Sequence, residues 1–124
     1  MKKSQINKVF PFIFLLLTLG AINLLTAEET KQSGKINVLL IDGQNNHDWV
    51  RCSPVMIETL EATGKFAIER ATVTKSRVAE FSPDFTKYHV ILSNYNGDSW
   101  TEKTKSNFVK YIKEGGNLVV VHAA

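Results

Sequence analysis

Three short, nearly continuous apolar runs constrain this chain more than any other feature: Ile36 to Ile41 (INVLLI), His89 to Ser93 (HVILS) and Asn117 to Val121 (NLVVV). A run of β-branched and aliphatic residues without polar alternation marks a strand buried on both faces, which is how strands of a parallel sheet lie. A further run, Phe66 to Val73 (FAIERATV), is interrupted by Glu69 and Arg70 and reads as a strand nearer the sheet edge. Parallel neighbours cannot be joined by a hairpin and need right-handed crossovers, so the expected class is α/β. The specific expectation is a doubly wound parallel sheet in the flavodoxin-like order 2-1-3-4. In that order the last strand is an unprotected edge of Leu118, Val119, Val120 and Val121. Natural domains cover such edges, so the sheet is expected to be incomplete at its carboxyl end.

The crossovers carry helix signals. Ser53 and Pro54 form a cap and first-turn pair ahead of Val55, Met56, Ile57, Leu60 and Ala62, with a start one turn earlier near Trp49 as the alternative. Gly64 is placed to end that helix in the left-handed conformation. Thr101 caps a second helix, to Glu114, that sets Phe108, Val109, Tyr111 and Ile112 among charges and stops at Gly115-Gly116. Residues 74–87, with a turn at Ser82-Pro83-Asp84, have room for a short helix at most.

The amino terminus has a different composition. Lys2, Lys3 and Lys8 precede an apolar run from Val9 to Leu25, followed by Leu25-Thr26-Ala27 and then Glu28 and Glu29. That is the order of a secretory signal cleaved after Ala27, giving a signal peptide over 1–27, a polar linker over 28–35 and the domain proper over 36–124. An uncleaved single-span anchor is the alternative, because the run is only slightly short of the roughly 20 apolar residues that cross a bilayer. Residues 1–27 hold three of the 15 Lys and Arg and none of the 12 acidic residues, leaving 12 against 12. The net +3 thus belongs to the export signal, and the domain carries no basic excess that would recruit nucleic acid or, once the signal is removed, an anionic membrane. Cys52 is the sole cysteine of a chain bound for a disulfide-permitting compartment, so stability has to come from packing. With no partner His near it in sequence, Cys52 reads as a small packed residue.

Open parallel sheets bind ligands beyond the carboxyl ends of their strands, where the strand order reverses, here between strands 1 and 3. Two polar loops meet there. The first holds Asp42, Gln44, Asn45, Asn46, His47 and Asp48; the second holds Asn94, Tyr95, Asn96, Asp98 and Ser99; Trp49 and Trp100 close them, and His122 leaves strand 4 on the same rim. Amides both donate and accept while aromatic rings cover the apolar side of a sugar, so Gln44, Asn45, Asn46, Trp49, Asn94, Tyr95 and Asn96 are candidates for binding a small-molecule carbohydrate. Asn and Asp also bond their own backbone in any tight loop after a strand, which is the competing explanation for each asparagine taken singly. His47 and His122 are the candidate catalytic residues, as general acid and base or, with Asp42 or Asp48, as holders of a metal. Surface or capping roles are the plain alternative for both.

Other chemistries are excluded by what the loops lack. No spaced glycines follow strand 1 and no Gly-Lys-Ser/Thr loop exists, which argues against dinucleotides and nucleoside triphosphates. No carboxylate pair stands out as acid and nucleophile for retaining glycoside hydrolysis. Neither a helical His pair nor a cysteine pair points to zinc. The identity of any cofactor stays open.

The stretches INVLLIDGQNNHDW, YHVILSNYNG and FVKYIKEGGNLVVVHAA together resemble the ThuA-like (trehalose-utilisation) family, a branch of the class I glutamine-amidotransferase-like fold. The resemblance spans nearly all of residues 36–124. It is most specific at Gly43, Asn45 or Asn46, His47 and Trp49, and from Gly115 to Ala124. It implies an amino-terminal half, with the missing carboxyl-terminal half of the same domain as its partner, and a role in carbohydrate metabolism. Class I amidotransferases present a nucleophilic Cys in the turn after this fourth strand, whereas this chain has His122-Ala123-Ala124, with no thiol to form a thioester. The expectation is a sugar-modifying enzyme when complete, with a non-catalytic carbohydrate-binding module or an inactive truncated fragment as the alternatives.

Overall fold

A computed structural model describes residues 34–122. The expected signal peptide, the linker up to Ser33 and the closing Ala123-Ala124 lie outside the described residues. Within them the order is β1 (Ile36–Asp42), α1 (Trp49–Glu61), β2 (Phe66–Thr72), two 3₁₀ turns (Lys75–Glu80 and Phe85–Lys87), β3 (Val90–Ser93), α2 (Glu102–Lys113) and β4 (Asn117–Val120). All pairings are parallel and the strands lie in the order β2-β1-β3-β4, the order expected of a flavodoxin-like doubly wound sheet. The 3₁₀ turns occupy the stretch expected to hold a short helix at most.

β1 is buried on both faces because its side chains alternate between two cores. Leu39 and Ile41 pack with Ile91, Val73, Phe85, Tyr95 and Tyr111, while Val38 and Leu40 pack with Leu92 against Met56, Ile57 and Leu60 of α1. The first core is aromatic: Phe85 lies between Trp100, Phe108 and Tyr111, with ring centroids 5.3–6.2 Å apart, spacings at which offset and edge-on rings attract.

Two local expectations are corrected. Asp48, not Ser53, caps α1, its carboxylate accepting from the Arg51 N–H at 3.2 Å. The helix therefore takes the alternative start, one turn earlier at Trp49, placing Ser53 and Pro54 inside it with Ser53 fully buried. Cys52 faces solvent rather than the core, because the stripe α1 buries runs through Met56, Ile57 and Leu60. Thr101 does cap α2, its hydroxyl accepting from the Thr104 N–H at 3.2 Å. Glu102 in the first turn and Lys110 and Lys113 in the last complement the helix dipole. Among the described residues, no helix is long and apolar enough to cross a membrane.

β4 differs from the other strands. Leu118, Val119 and Val120 are 42%, 51% and 49% exposed, and β4 pairs with β3 alone among the described residues. Beside it an open apolar groove of about 450 Å³ runs between α1 and the sheet, lined by Val55, Met56, Leu60, Phe66, Leu92 and Val119.

One glycine fixes how β1 leaves the sheet. Gly43 sits at φ +114°, and a Cβ there would lie 2.5 Å from the Val73 nitrogen, which itself donates to the Asp42 carbonyl at 2.6 Å. Gly115 also has positive φ (+95°) but faces open space. Gly43→Ala is therefore expected to cost more than Gly115→Ala, which carries only the backbone strain of about 1–3 kcal/mol. Denaturant midpoints of the two variants measure the difference, and equal losses would contradict the close approach at Val73.

Candidate functional site

The carboxyl ends of β1 and β3 are adjacent, and the loops they release, 43–48 and 94–100, are stitched together. The Asn94 N–H donates to the Ile41 carbonyl and the Asn96 N–H to the Gln44 carbonyl, both at 2.8 Å. The Gln44 side chain crosses the gap: its Nε2 donates to the Tyr95 hydroxyl at 3.0 Å, and its Oε1 accepts from the Asp98 N–H at 3.2 Å. Gln44 lies so close over Gly97 that any Cβ at 97 would collide with it.

A second chain of amides runs beneath the rim. The buried Ser53 hydroxyl accepts from Asn94 Nδ2 at 3.2 Å, Asn94 Oδ1 accepts from Asn45 Nδ2 at 3.1 Å, and Asn45 Oδ1 accepts from the His47 N–H at 3.1 Å. Asn94 is itself buried. The amides of Gln44, Asn45 and Asn94 are thus engaged with the protein, whereas Asn46 and Asn96 are exposed on the rim. Trp49 is half-buried with the Arg70 guanidinium 5.9 Å from its ring centre, and Tyr95 is buried beside Trp100 in the aromatic core.

His47 and His122, 75 residues apart in sequence, meet. His47 Nε2 lies 2.8 Å from His122 Nδ1, with ring centroids 4.8 Å apart at 66°. One of the two nitrogens carries the hydrogen and the other the lone pair, so the rings form a donor–acceptor couple, exposed on the rim. His122 adopts φ +46°, the one non-glycine positive φ among the described residues. Such a backbone costs about 1–3 kcal/mol and persists where its surroundings hold it.

The carboxylates expected to assist these histidines are used elsewhere. Asp42 is fully buried, its Oδ2 2.7 Å from Arg70 Nε, and Asp48 caps α1. Among the described residues no group of three or more His, Cys, Asp or Glu converges as metal ligands would. Arg70 and Ser53 are the polar residues whose roles sequence reasoning missed. A signal for Arg70 existed in strand parity: Arg70 opposes Leu40 in the register and shares a face with Ile68, next to Asp42, the third residue of the Val38, Leu40, Asp42 face. A carboxylate at the end of a buried face needs a cation within reach.

No family model and no curated protein matches the chain. Among solved structures, it is similar to a crystal structure of a protein from Parabacteroides merdae described as ThuA-like, with a TM-score of 0.70 and 37% sequence identity. The match covers 73% of this chain and 33% of that one, so the chain spans about a third of the solved protein's length. The likeness supports both the α/β fold and the ThuA-like resemblance carried by the loop and strand motifs.

Tyr95 makes the clamp between the loops sensitive to pH. Its hydroxyl accepts from Gln44 and donates to the Asp98 carbonyl at 2.7 Å, and burial, aided by the Asp98 charge, pushes the phenol above its ordinary 10.0. A phenol kept neutral by the fold stabilises it fully below the unfolded value, and this contribution is lost as pH rises through the folded one. Trp100 fluorescence and tyrosinate absorbance are expected to change together in that alkaline window. Tyr95→Phe should abolish the coupled change; its persistence would place the sensitive group elsewhere.

Proposed function

We propose that this chain is part of an exported ThuA-like protein that modifies a sugar, with His47 and His122 as its acid–base couple. The observation that carries the reading is the 2.8 Å contact between the two rings. It stands at the point where strand order reverses, the usual ligand position of an open parallel sheet. In this reading Asn46, Asn96 and Trp49 face the sugar, while Gln44, Asn45, Asn94 and Tyr95 hold the rim in shape. A neutral imidazole couple can give a proton from one ring and take one on the other, which suits sugar chemistry in which one oxygen is protonated as another group is deprotonated. The likeness to a ThuA-like structure supports the carbohydrate assignment.

The test uses the full-length protein with trehalose as probe, following sugar signals by NMR. His122→Ala is expected to bind trehalose within about threefold of wild type while turnover falls about 10²-fold or more, the usual contribution of a positioned acid or base. Unchanged turnover would remove His122 from the chemistry. Binding without consumption by the wild type would leave a carbohydrate-binding module instead.

Export belongs to the same proposal and rests on the charged-then-apolar order of residues 1–27. The mature protein recovered outside the cytoplasm is expected to begin at Glu28. Recovery of the intact Met1 terminus from the membrane fraction would favour the uncleaved anchor.

A further inference from the structure

We infer that Asn94 is the positioning residue of the imidazole couple: at the end of β3 it holds His47 through Asn45, while its neighbour Ser93 holds the segment that carries His122. The inference rests on the reading of the two rings as an acid–base couple and deepens it.

Both rings are exposed, so no packing around the imidazoles sets their 2.8 Å contact; it is set by where the two backbones lie. His47 belongs to the loop after β1 and His122 follows β4. In the order β2-β1-β3-β4 the strand between those two is β3. Whatever fixes one histidine relative to the other therefore runs through β3.

The end of β3 makes both connections with consecutive residues. On the β4 side, Ser93 pairs with Val120 in the register, and its carbonyl accepts from the N–H of Val121, the residue before His122, at 2.9 Å. On the β1 side, the Asn94 N–H donates to the Ile41 carbonyl at 2.8 Å, and Asn94 Oδ1 accepts from Asn45 Nδ2 at 3.1 Å. Asn45 Oδ1 in turn accepts from the His47 N–H at 3.1 Å. That last bond alone shapes the loop without placing it. The bond to Asn94 ties the loop to the sheet.

The polarity of the chain explains why an amide stands at 94. A backbone N–H can only donate, so His47 requires the oxygen of Asn45, and Asn45 then turns its nitrogen to Asn94. Asn94 must answer with its oxygen, which leaves its nitrogen for the Ser53 hydroxyl of α1 at 3.2 Å. Asn94 and Ser53 are both buried, so neither can exchange this partner for bulk water without loss. The orientation is fixed from α1 to His47.

The test follows the hydrogen between the rings. The full chain, isotopically labelled at the histidine nitrogens, is studied by NMR at about pH 8, above the ordinary imidazole value of about 6.5. The wild type is expected to show a nitrogen–nitrogen coupling between His47 Nε2 and His122 Nδ1. Asn94→Ala should abolish it. Ser53→Ala, a change to the best helix former inside α1, strands the Asn94 amide and should abolish it as well. Gln44→Ala cuts the bonds to Tyr95 and Asp98 but leaves this chain whole, and should keep the coupling. His89 is the internal control for the sheet: its Nδ1 accepts from the Asn37 N–H at 2.9 Å, and its signals should stay unchanged in all three variants. With trehalose as probe, Asn94→Ala is expected to lower kcat about 10- to 100-fold, the cost of misplacing a reacting group by about 1 Å, and to leave KM within about threefold. A coupling absent from the wild type, kept in both Asn94→Ala and Ser53→Ala, or lost equally in Gln44→Ala would overturn the positioning role. If the wild type leaves trehalose unchanged while the coupling still depends on Asn94 and Ser53, the sugar reading falls and the positioning role stands.

Discussion

Everything in this domain is referred to β1, the strand buried on both faces. Its odd residues Leu39 and Ile41 enter the aromatic core and its even residues Val38 and Leu40 the core under α1, so a slip of one residue would exchange both sets at once. The strand ends on Asp42, whose buried carboxylate continues the even face and is neutralised by Arg70 from β2. Removing one member of such a pair strands a buried charge, at a cost of about 3–5 kcal/mol. The hydrogen bond from Val73 to the Asp42 carbonyl and the close approach of Gly43 then direct the chain off the sheet. The placement of His47 is the downstream consequence of that exit.

The polar rim divides its labour by burial. Gln44, Asn45, Asn94 and Tyr95 bond one another or the backbone of the opposite loop, each bond contributing on the order of 1 kcal/mol net. Breaking one is costlier than that figure, because a buried amide left without a partner keeps its full desolvation penalty. These residues make the rim rigid. Asn46, Asn96 and the two imidazoles are among the rim side chains that reach solvent, and Trp49 is half-buried beside them. A rigid inner ring supporting an exposed outer one is the arrangement that keeps reacting groups in place without spending binding energy to order them.

Much of the architecture was legible because buried parallel strands announce themselves as unbroken apolar runs, and the order β2-β1-β3-β4 is the flavodoxin-like order expected of a doubly wound sheet. Thr101 was legible as a cap for the same local reason. Ser53 was not, since Ser-Pro is a common helix start; Asp48 caps the helix five residues earlier, while Ser53 is buried under Asn94 and accepts from its amide. The exposure of Cys52 depends on that same shift in the start of α1. The rim residues could be named from the sequence, but their division into structural and exposed amides could not. It depends on which side chains cross between loops about 50 residues apart. The meeting of His47 and His122 is likewise a product of strand order: β4 lies beside β3, so its end reaches the rim opened by β1.

That dependence ties the site to the least protected strand. β1 is enclosed by helices and neighbours, whereas β4 pairs on one side among the described residues and exposes about half of Val119 and Val120. Local opening begins where buried contacts are fewest, so β4 is the element expected to loosen first, and His122 moves with it. The apolar groove beside β4 acts in the same direction, because Val119 shares it with Val55 and Met56 of α1. Any structure that pairs the free edge or fills the groove removes apolar surface from water, at about 25 cal/mol per Å², and holds β4 against β3. Closing the sheet and fixing the distance between the two imidazoles are therefore one physical event: occupation of the β4 edge raises the population in which His122 faces His47.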